Sequence, residues 1–163
     1  MKKTEIISII NQKGGVGKTT TTINLAAGLA LQNKKILVVD LDPQGNATTG
    51  LGLSNSESSE ETIYAVLNGT KKFSDVIKKT KFNNLDLISS NVDLSGLEVE
   101  TAGDSKRAFI LKDQITRYFN DSTDLYEYIL IDCPPSLSLL TVMALVTSNS
   151  LVVPLQTEFF ALE

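Results

Sequence analysis

The sequence predicts an α/β fold in which helices cover both faces of a mostly parallel, twisted β-sheet. Two observations predict this fold. Apolar runs typical of strands alternate with segments of helical periodicity, and three of these runs are apolar at every position. A strand that is apolar throughout is buried on both faces, as in a parallel sheet between two layers of helices. Because ligands of such sheets bind at the carboxyl ends of the strands, we expect functional residues in the loops that follow them.

The N-terminal half contains two predicted strands and three predicted helices. The apolar run 6–10 predicts the first strand, Glu5–Ile10, and the fully apolar run 36–39 predicts the second, Lys35–Asp40. A helix, Thr19–Leu31, is expected between them after a glycine-rich turn. Two shorter helices are expected at Thr62–Asn68 and Ser74–Lys79.

The C-terminal half continues the alternation. Its strands are expected at Leu85–Ser89, Tyr126–Asp132 and Ser150–Leu155, and the last two contain fully apolar runs. Helices are expected at Ser105–Phe119, where apolar residues recur at helical spacing, and at Ser136–Thr147. A final helix, Thr157–Glu163, is predicted but is too short to be stable alone. We therefore expect the chain to be a C-terminally truncated part of a longer protein.

The composition is that of one soluble globular domain spanning residues 1–163, with 42% hydrophobic and 21% charged residues. The formal net charge is −4, which argues against DNA binding by this segment alone, because nucleic-acid-binding modules usually carry a basic excess. Cys133 is the single cysteine, so an internal disulfide is excluded. No apolar stretch approaches the roughly 18 residues of a membrane span, and a cytoplasmic location without membrane contact is expected.

Two polar segments lie outside the predicted sheet. Residues 54–61 contain no apolar residue and are expected to form a mobile surface loop. A basic cluster follows, for which a solvated helix face is favoured over contact with a phosphate backbone, because the spacing of its residues does not align them. The cluster consists of Lys71, Lys72, Lys78, Lys79 and Lys81.

The segment between the first strand and the first helix has the pattern of a phosphate-binding loop. Its residues are Lys13, Gly14, Gly15, Val16, Gly17, Lys18, Thr19 and Thr20. The glycines allow unusual dihedrals and let backbone N–H groups approach phosphate oxygens, and the start of the helix adds further donors. We expect Lys18 to contact the β- and γ-phosphates and the Thr19 hydroxyl to coordinate Mg²⁺. The loop therefore predicts a nucleotide site.

This loop departs from the usual pattern G-x-x-x-x-G-K-[ST] at one position. Gln12 stands where that pattern has its first glycine, and Lys13 adds a second lysine that a generic phosphate-binding loop does not need.

Two aspartates follow the second predicted strand. Asp40 closes the strand, and Asp42 lies in a loop where Pro43 and Gly45 predict a sharp turn. A carboxylate at this edge of the sheet can orient an attacking water or reach the shell of a metal ion. We therefore treat Asp42 as a candidate catalytic residue and Asp40 as a candidate metal ligand acting through water.

The fourth predicted strand also ends in an aspartate. The apolar run 129–131 followed by Asp132 has the form of a Walker B element. Mg²⁺ prefers oxygen ligands and keeps several waters, so one carboxylate near Thr19 is sufficient for a metal site. The stiff turn at residues 133–136 is expected to act as a γ-phosphate-sensing switch.

Together these three segments resemble the deviant-Walker-A ATPases, specifically the ParA/Soj proteins that partition chromosomes and plasmids. The resemblance rests on residues 13–20, 40–46 and 131–136 in that order, and it extends from the first strand to the last residue. It implies a P-loop NTPase fold with ATP and Mg²⁺ as cofactors. It also implies that the adenine contacts, part of the dimer interface and the DNA-binding surface lie beyond residue 163.

The resemblance implies a role for each site residue. Lys13 is the signature lysine, which reaches across an ATP-sandwich homodimer to the nucleotide of the other subunit. Lys18 is the Walker A lysine, and Thr19 is the magnesium ligand. Asp42 positions the hydrolytic water, and Asp132 serves the metal shell through water.

The resemblance also implies a cycle. ATP drives dimerisation, the dimer binds DNA non-specifically on the nucleoid, and slow hydrolysis reverses both steps. A ParB-type centromere-binding protein stimulates the hydrolysis.

Two alternatives remain open at the level of sequence, and a third, the reductase, fails on its number of cysteines. A MinD-like, membrane-associated division-site ATPase shares the lysine-rich loop, but residues 42–46 and 133–136 look like those of partitioning proteins. A reductase of the nitrogenase-iron-protein type needs two cysteines from each subunit to bridge its cluster, and this chain has only Cys133. A nucleotide-binding adaptor that does not hydrolyse ATP is disfavoured by Asp42.

Overall fold

The computed structural model describes residues 4–54, 58–123 and 125–157. The described residues contain a six-stranded sheet with the strand order β3-β4-β2-β5-β1-β6. The strands are β1 (Glu5–Ile9), β2 (Ile36–Asp40), β3 (Lys78–Lys79), β4 (Leu85–Ile88), β5 (Tyr128–Asp132) and β6 (Ser150–Val152). The α-helices are α1 (Lys18–Leu31), α2 (Asn46–Gly50), α3 (Ile63–Leu67), α4 (Leu97–Glu100), α5 (Ile110–Asp121) and α6 (Leu139–Thr147). Short 3₁₀ helices occupy Ser59–Glu61, Phe73–Val76, Val92–Gly96 and Arg107–Phe109.

All strand pairs are parallel except β3 with β4, so the prediction of a mostly parallel sheet is confirmed. The register aligns the carboxyl ends of the central strands. Asp132 at the end of β5 lies opposite Asp40 of β2 on one side and Ile9 of β1 on the other. The loops that carry the predicted motifs therefore leave the sheet at one edge.

The core has two layers, one on each face of the sheet. Alternate residues of β2 enter different layers: Leu37 and Val39 pack with α3, α5 and α6, whereas Ile36 and Val38 pack with α1. All four side chains are fully buried. This two-sided burial is the reason why the strand is apolar at every position.

The predicted helix Ser74–Lys79 is wrong. Residues Phe73–Val76 form a 3₁₀ helix, and Lys78–Lys79 form the short antiparallel edge strand β3. Phe73 and Val76 are both buried in the core, and Ile77 after them is extended with φ −72° and ψ 126°. Tertiary packing of these two side chains therefore outweighs the local helical preference.

Other predicted bounds differ by smaller amounts. The fourth predicted helix begins at Ile110 rather than Ser105, because residues before it form turns and a 3₁₀ helix, and the fifth begins at Leu139. The helices α2 and α4 were not predicted. Most of the predicted helix Thr157–Glu163, namely residues 158–163, lies outside the described residues.

The two polar segments are partly described. Residues 55–57 lie outside the described residues, and Ser59 after them accepts a hydrogen bond from Asn91 Nδ2 (2.9 Å); the mobility of residues 54–61 stays a prediction. In the basic cluster, Lys78 pairs with Glu61 (3.4 Å) and Lys79 with Asp86 (2.7 Å). None of the helices in the described part of the chain is long and apolar enough to cross a membrane.

Candidate functional site

The glycine-rich loop connects β1 to α1, and its backbone needs glycine at two positions. Gly15 and Gly17 have φ of 75° and 88°, in the left-handed region that L side chains rarely adopt. Gly14 lacks the unusual dihedral that was expected of it, and a Cβ there would meet nothing within 4 Å. Gly17 precedes α1, and no side-chain hydrogen bond caps that helix. The N–H groups of its first turn therefore remain available to an anion.

Lys18 is held inside this loop. Only 7% of the residue is exposed, and its Nζ donates to the Lys13 carbonyl oxygen (3.1 Å) across the loop. A buried ammonium group needs polar partners, and this contact places the positive charge beside the glycine N–H groups. The loop thus directs the Lys18 ammonium and several backbone N–H groups towards the same cavity.

The predicted motifs surround one cavity of about 530 Å³. The loop, the segment after β2 and the turn after β5 all contribute to its wall. Its lining residues are Gly14, Gly15, Gly17, Lys18, Thr19, Thr20, Asp42, Gln44, Asn46 and Pro135. Val16 is buried instead, so its side chain supports the loop from within.

Asp132 binds two threonines of α1. Thr19 Oγ1 donates to Asp132 Oδ2 (2.7 Å), and Thr22 Oγ1 donates to Asp132 Oδ1 (2.9 Å). The pKa of Asp132 is raised to about 6, mainly by burial and to a smaller extent by the charge of Asp42, while the two hydroxyl donors and Lys18 oppose the shift. The structure therefore places the carboxylate beside the Thr19 hydroxyl, as expected for a shared metal site.

Asp40 lies next to Asp132 but faces different partners. Its Oδ2 accepts from the N–H and the hydroxyl of Thr48 (both 2.8 Å), and its Oδ1 accepts from the N–H of Asp42 (3.1 Å). The pKa of Asp40 is raised to about 7, mainly by burial and further by the charge of Asp132, while the hydrogen bonds from Thr48 and Asp42 oppose the shift. The role of Asp40 in a metal shell stays a prediction.

Asp42 lies at the cavity in a tight turn. Its Oδ1 accepts from the N–H of Gln44 (2.9 Å), and its carbonyl oxygen accepts from the N–H of Gly45 (2.9 Å). Gly45 has φ 65°, which confirms the predicted sharp turn. The residue is only 6% exposed, so the hydrogen bond from Gln44, and not contact with solvent, orients its carboxylate.

The Lys13 side chain belongs to a cavity next to that of the glycine-rich loop. It is exposed and lines a neighbouring cavity of about 420 Å³ together with Gln12, Pro134 and Leu137. It is not among the residues that line the cavity of the glycine-rich loop. Cys133 beside this region is buried, and burial raises the pKa of its thiol to about 12, so it is a packing residue.

The site fits a nucleoside triphosphate with a magnesium ion. The buried ammonium of Lys18 and the open N–H groups of α1 suit phosphate oxygens. The hydroxyl of Thr19 and the carboxylate of Asp132 are the hard oxygen donors that Mg²⁺ prefers. All of these groups belong to the wall of one cavity or touch it.

Sequence reasoning missed several residues that shape the site. Thr22 holds Asp132, Thr48 holds Asp40, and Gln44 and Asn46 line the cavity. Thr22 follows Thr19 by three residues on one helix, a spacing that places both on the same face and was a usable signal. The contact of Thr48 with Asp40 depends on the unpredicted helix α2.

Comparison with known proteins identifies a family and relatives. The family described as "AAA domain" matches residues 4–163. The chain is 48% identical over 159 residues to the sporulation initiation inhibitor protein Soj of Bacillus subtilis, covering 98% of this chain and 61% of that protein. It is 46% identical over 158 residues to the chromosome partitioning protein ParA of Caulobacter vibrioides, covering 97% and 58%. The resemblance to ParA/Soj proteins is confirmed, and the chain spans less than two thirds of the length of these curated relatives.

Solved structures share the fold. The crystal structure of cobyrinic acid a,c-diamide synthase from Mycobacterium smegmatis, with a bound ATP analogue and magnesium, is similar with a TM-score of 0.89 and 35% identity. The similarity covers 98% of this chain and 63% of that chain. The predicted P-loop NTPase fold is thereby confirmed.

Proposed function

The chain belongs to the AAA-domain family, and from this premise we propose that it is the ATPase part of a DNA-partitioning protein of the ParA/Soj type. The observation that carries the proposal is the meeting of three motifs around one cavity. The phosphate-binding loop, the Asp42 turn and the end of β5 with its following turn are separated by many residues in sequence, yet all contribute to its wall. The similarity to a chromosome partitioning protein supports the same assignment.

In the proposed complex, the backbone N–H groups of residues 14–20 bind the phosphates of ATP. Lys18 adds a point charge at the β- and γ-phosphates. Its ammonium is already oriented by the Lys13 carbonyl oxygen, so little side-chain freedom is lost when ATP binds.

Thr19 and Asp132 would hold the magnesium ion. When bound, Mg²⁺ neutralises charge on the phosphate oxygens that it contacts. Thr22 orients Asp132 by donating to the oxygen that Thr19 does not use. Asp132 acts in its deprotonated form, because a metal ion competes with the proton for the carboxylate.

Hydrolysis requires a water molecule that is aligned with the γ-phosphate. We assign this alignment to Asp42, whose carboxylate lines the cavity and is held by the Gln44 N–H. Lys13 is exposed beside the loop, a position from which it reaches the nucleotide of a second subunit more readily than its own. Its charge then stabilises the transition state only in a homodimer.

The proposed cycle couples these steps to DNA. ATP drives sandwich dimerisation, the dimer binds non-specific DNA on the nucleoid in the cytoplasm, and hydrolysis reverses both. A ParB-type partner accelerates the weak intrinsic hydrolysis. The net charge of −4 in this chain agrees with DNA contacts that are supplied by other parts of the protein.

The test uses the complete natural polypeptide with Asp42→Ala, and Asp113→Ala on the exposed face of α5 as the matched control. We expect the Asp42 variant to bind ATP, to lose hydrolysis and to accumulate as a dimer. With ATP but not ADP it should co-sediment with random-sequence DNA and not with anionic liposomes. The control should hydrolyse ATP at the rate of the unmodified protein.

The outcomes separate the candidate functions. Co-sedimentation with liposomes alone would replace the proposal with the MinD-like alternative, which the similarity to a partitioning protein does not favour. A variant that remains monomeric with saturating ATP would refute the role of Asp42. ATP binding without any hydrolysis by the unmodified protein would leave the adaptor as the better description.

A further inference from the structure

The carboxylate of Asp40 accepts three hydrogen bonds from one segment of the chain. The donors are the Asp42 N–H, the Thr48 N–H and the Thr48 hydroxyl, at 3.1, 2.8 and 2.8 Å. Asp40 and Thr48 are both fully buried. An ionised carboxylate has about four lone-pair sites, so most of its accepting capacity is used within the protein.

These donors stand at the two ends of the loop that carries the proposed catalytic carboxylate. Asp42 begins segment 42–48 and Thr48 ends it, and the turn at Gly45 lies between them. The Asp40 side chain therefore links the two ends of segment 42–48 to each other. A loop fixed at both ends has fewer conformations than one fixed only by its turn.

A fourth contact links the segment to another strand. Thr48 Oγ1, which donates to Asp40, also accepts from the N–H of Ser90 (3.0 Å) just after β4. The Thr48 hydroxyl thus connects the end of β2 to the end of β4. This contact attaches segment 42–48 to the sheet whether or not a nucleotide is bound.

We propose that Asp40 is a positioning residue that acts through Thr48, and that together they hold the Asp42 carboxylate in place for water alignment. The inference rests on the proposed ATPase function. Within the described residues, Asp40 does not itself line the cavity and its carboxylate accepts hydrogen bonds only from Thr48 and the Asp42 backbone, so its loss affects the geometry of Asp42 and not the binding of phosphates. Displacement of a catalytic group by about 1 Å can cost about 100-fold in rate.

The test compares Thr48→Val, Thr48→Ser and Thr116→Val. Valine keeps the shape of threonine and removes the hydroxyl, whereas serine keeps the hydroxyl. Thr116 is an exposed threonine on α5 whose hydroxyl donates to the Lys112 carbonyl oxygen, so it controls for the substitution itself. Each variant is assayed for kcat, for the Kd of a fluorescent ATP analogue, and for hydrogen exchange of the amides in segment 42–48.

For Thr48→Val we expect kcat to fall by about tenfold while the Kd changes by less than about twofold, as a positioning role requires. The amides of segment 42–48 should exchange about tenfold faster even without nucleotide, because the loop opens more often. Thr48→Ser should restore both quantities, and Thr116→Val should change neither.

Three results would overturn the inference. One is an unchanged kcat in Thr48→Val, and another is unchanged hydrogen exchange in segment 42–48. The third is a parallel loss of nucleotide affinity and kcat, which would indicate general structural damage. If the unmodified protein binds ATP without hydrolysing it, the proposed function fails first, and the hydrogen-exchange result alone then decides whether Asp40 and Thr48 hold the loop.

Discussion

Replacement of Asp40 by asparagine is expected to flatten the pH dependence of the free energy of unfolding of the nucleotide-free chain. Burial and the charge of Asp132 raise the pKa of Asp40 from 3.8 to about 7. An acid with a higher pKa in the folded chain than in the unfolded chain binds its proton more tightly when folded. Its contribution to stability is therefore complete below pH 4 and is lost as the pH rises towards 7.

The size of the effect follows from the shift. One pKa unit corresponds to about 1.4 kcal/mol, so between pH 5 and pH 8 ionisation of Asp40 should cost the folded chain about 3 kcal/mol. For a domain of this size that difference corresponds to a change in Tm of about 6–12 °C. Asparagine does not ionise in this range. The free energy of unfolding of Asp40→Asn should therefore fall by about 3 kcal/mol less between pH 5 and pH 8 than that of the unmodified chain.

The assay is thermal or urea unfolding at intervals from pH 5 to pH 8, without nucleotide or Mg²⁺. Asp113→Asn is the matched control, because Asp113 is exposed on α5 and its replacement should leave the profile parallel to that of the unmodified chain. A profile of Asp40→Asn that is parallel to the unmodified chain over this range would refute the reasoning. It would mean that Asp40 does not carry the cost of burial that its surroundings imply.

Two further predictions concern the glycine-rich loop and α1. Lys13→Ala should leave the Kd of the nucleotide for the monomer nearly unchanged and abolish hydrolysis, since the lysine is exposed beside the loop; unchanged turnover would exclude a role in trans. Thr22→Val removes a hydroxyl that donates to the Asp132 carboxylate (2.9 Å). It should lower the free energy of unfolding by about 1.5–3 kcal/mol, the range for hydrogen bonds to charged groups, with Thr22→Ser close to the unmodified chain.

The central sheet could be predicted from sequence because its signal is local. A strand such as β2 is apolar at every position, and both its faces are buried, so pattern and burial agree. The error at residues 74–79 has the opposite origin. There, Phe73 and Val76 are buried in the core, and β3 pairs with the next strand, β4. Neither the burial nor the pairing is contained in the helical spacing of the segment.

The same distinction holds for the site. The glycine-rich loop and Asp132 were found because backbone geometry and phosphate chemistry restrict the residue types at fixed spacing. The contact between Thr48 and Asp40 could not be found in this way. It forms because the short helix α2 brings Thr48 next to the end of β2. No rule of residue spacing predicts that position.

The register of the two central strands explains how adjacent residues hold both the candidate phosphate-binding loop and the segment that carries Asp42. Asp40 and Asp132 are neighbours across β2 and β5, yet their side chains bind different elements. Asp132 holds α1 at the phosphate-binding loop, through Thr19 and Thr22. Asp40 holds the segment that carries Asp42. Because the charge of Asp132 also raises the pKa of Asp40, a change in the charge at Asp132 alters the electrostatic cost of the ionised Asp40 that holds segment 42–48.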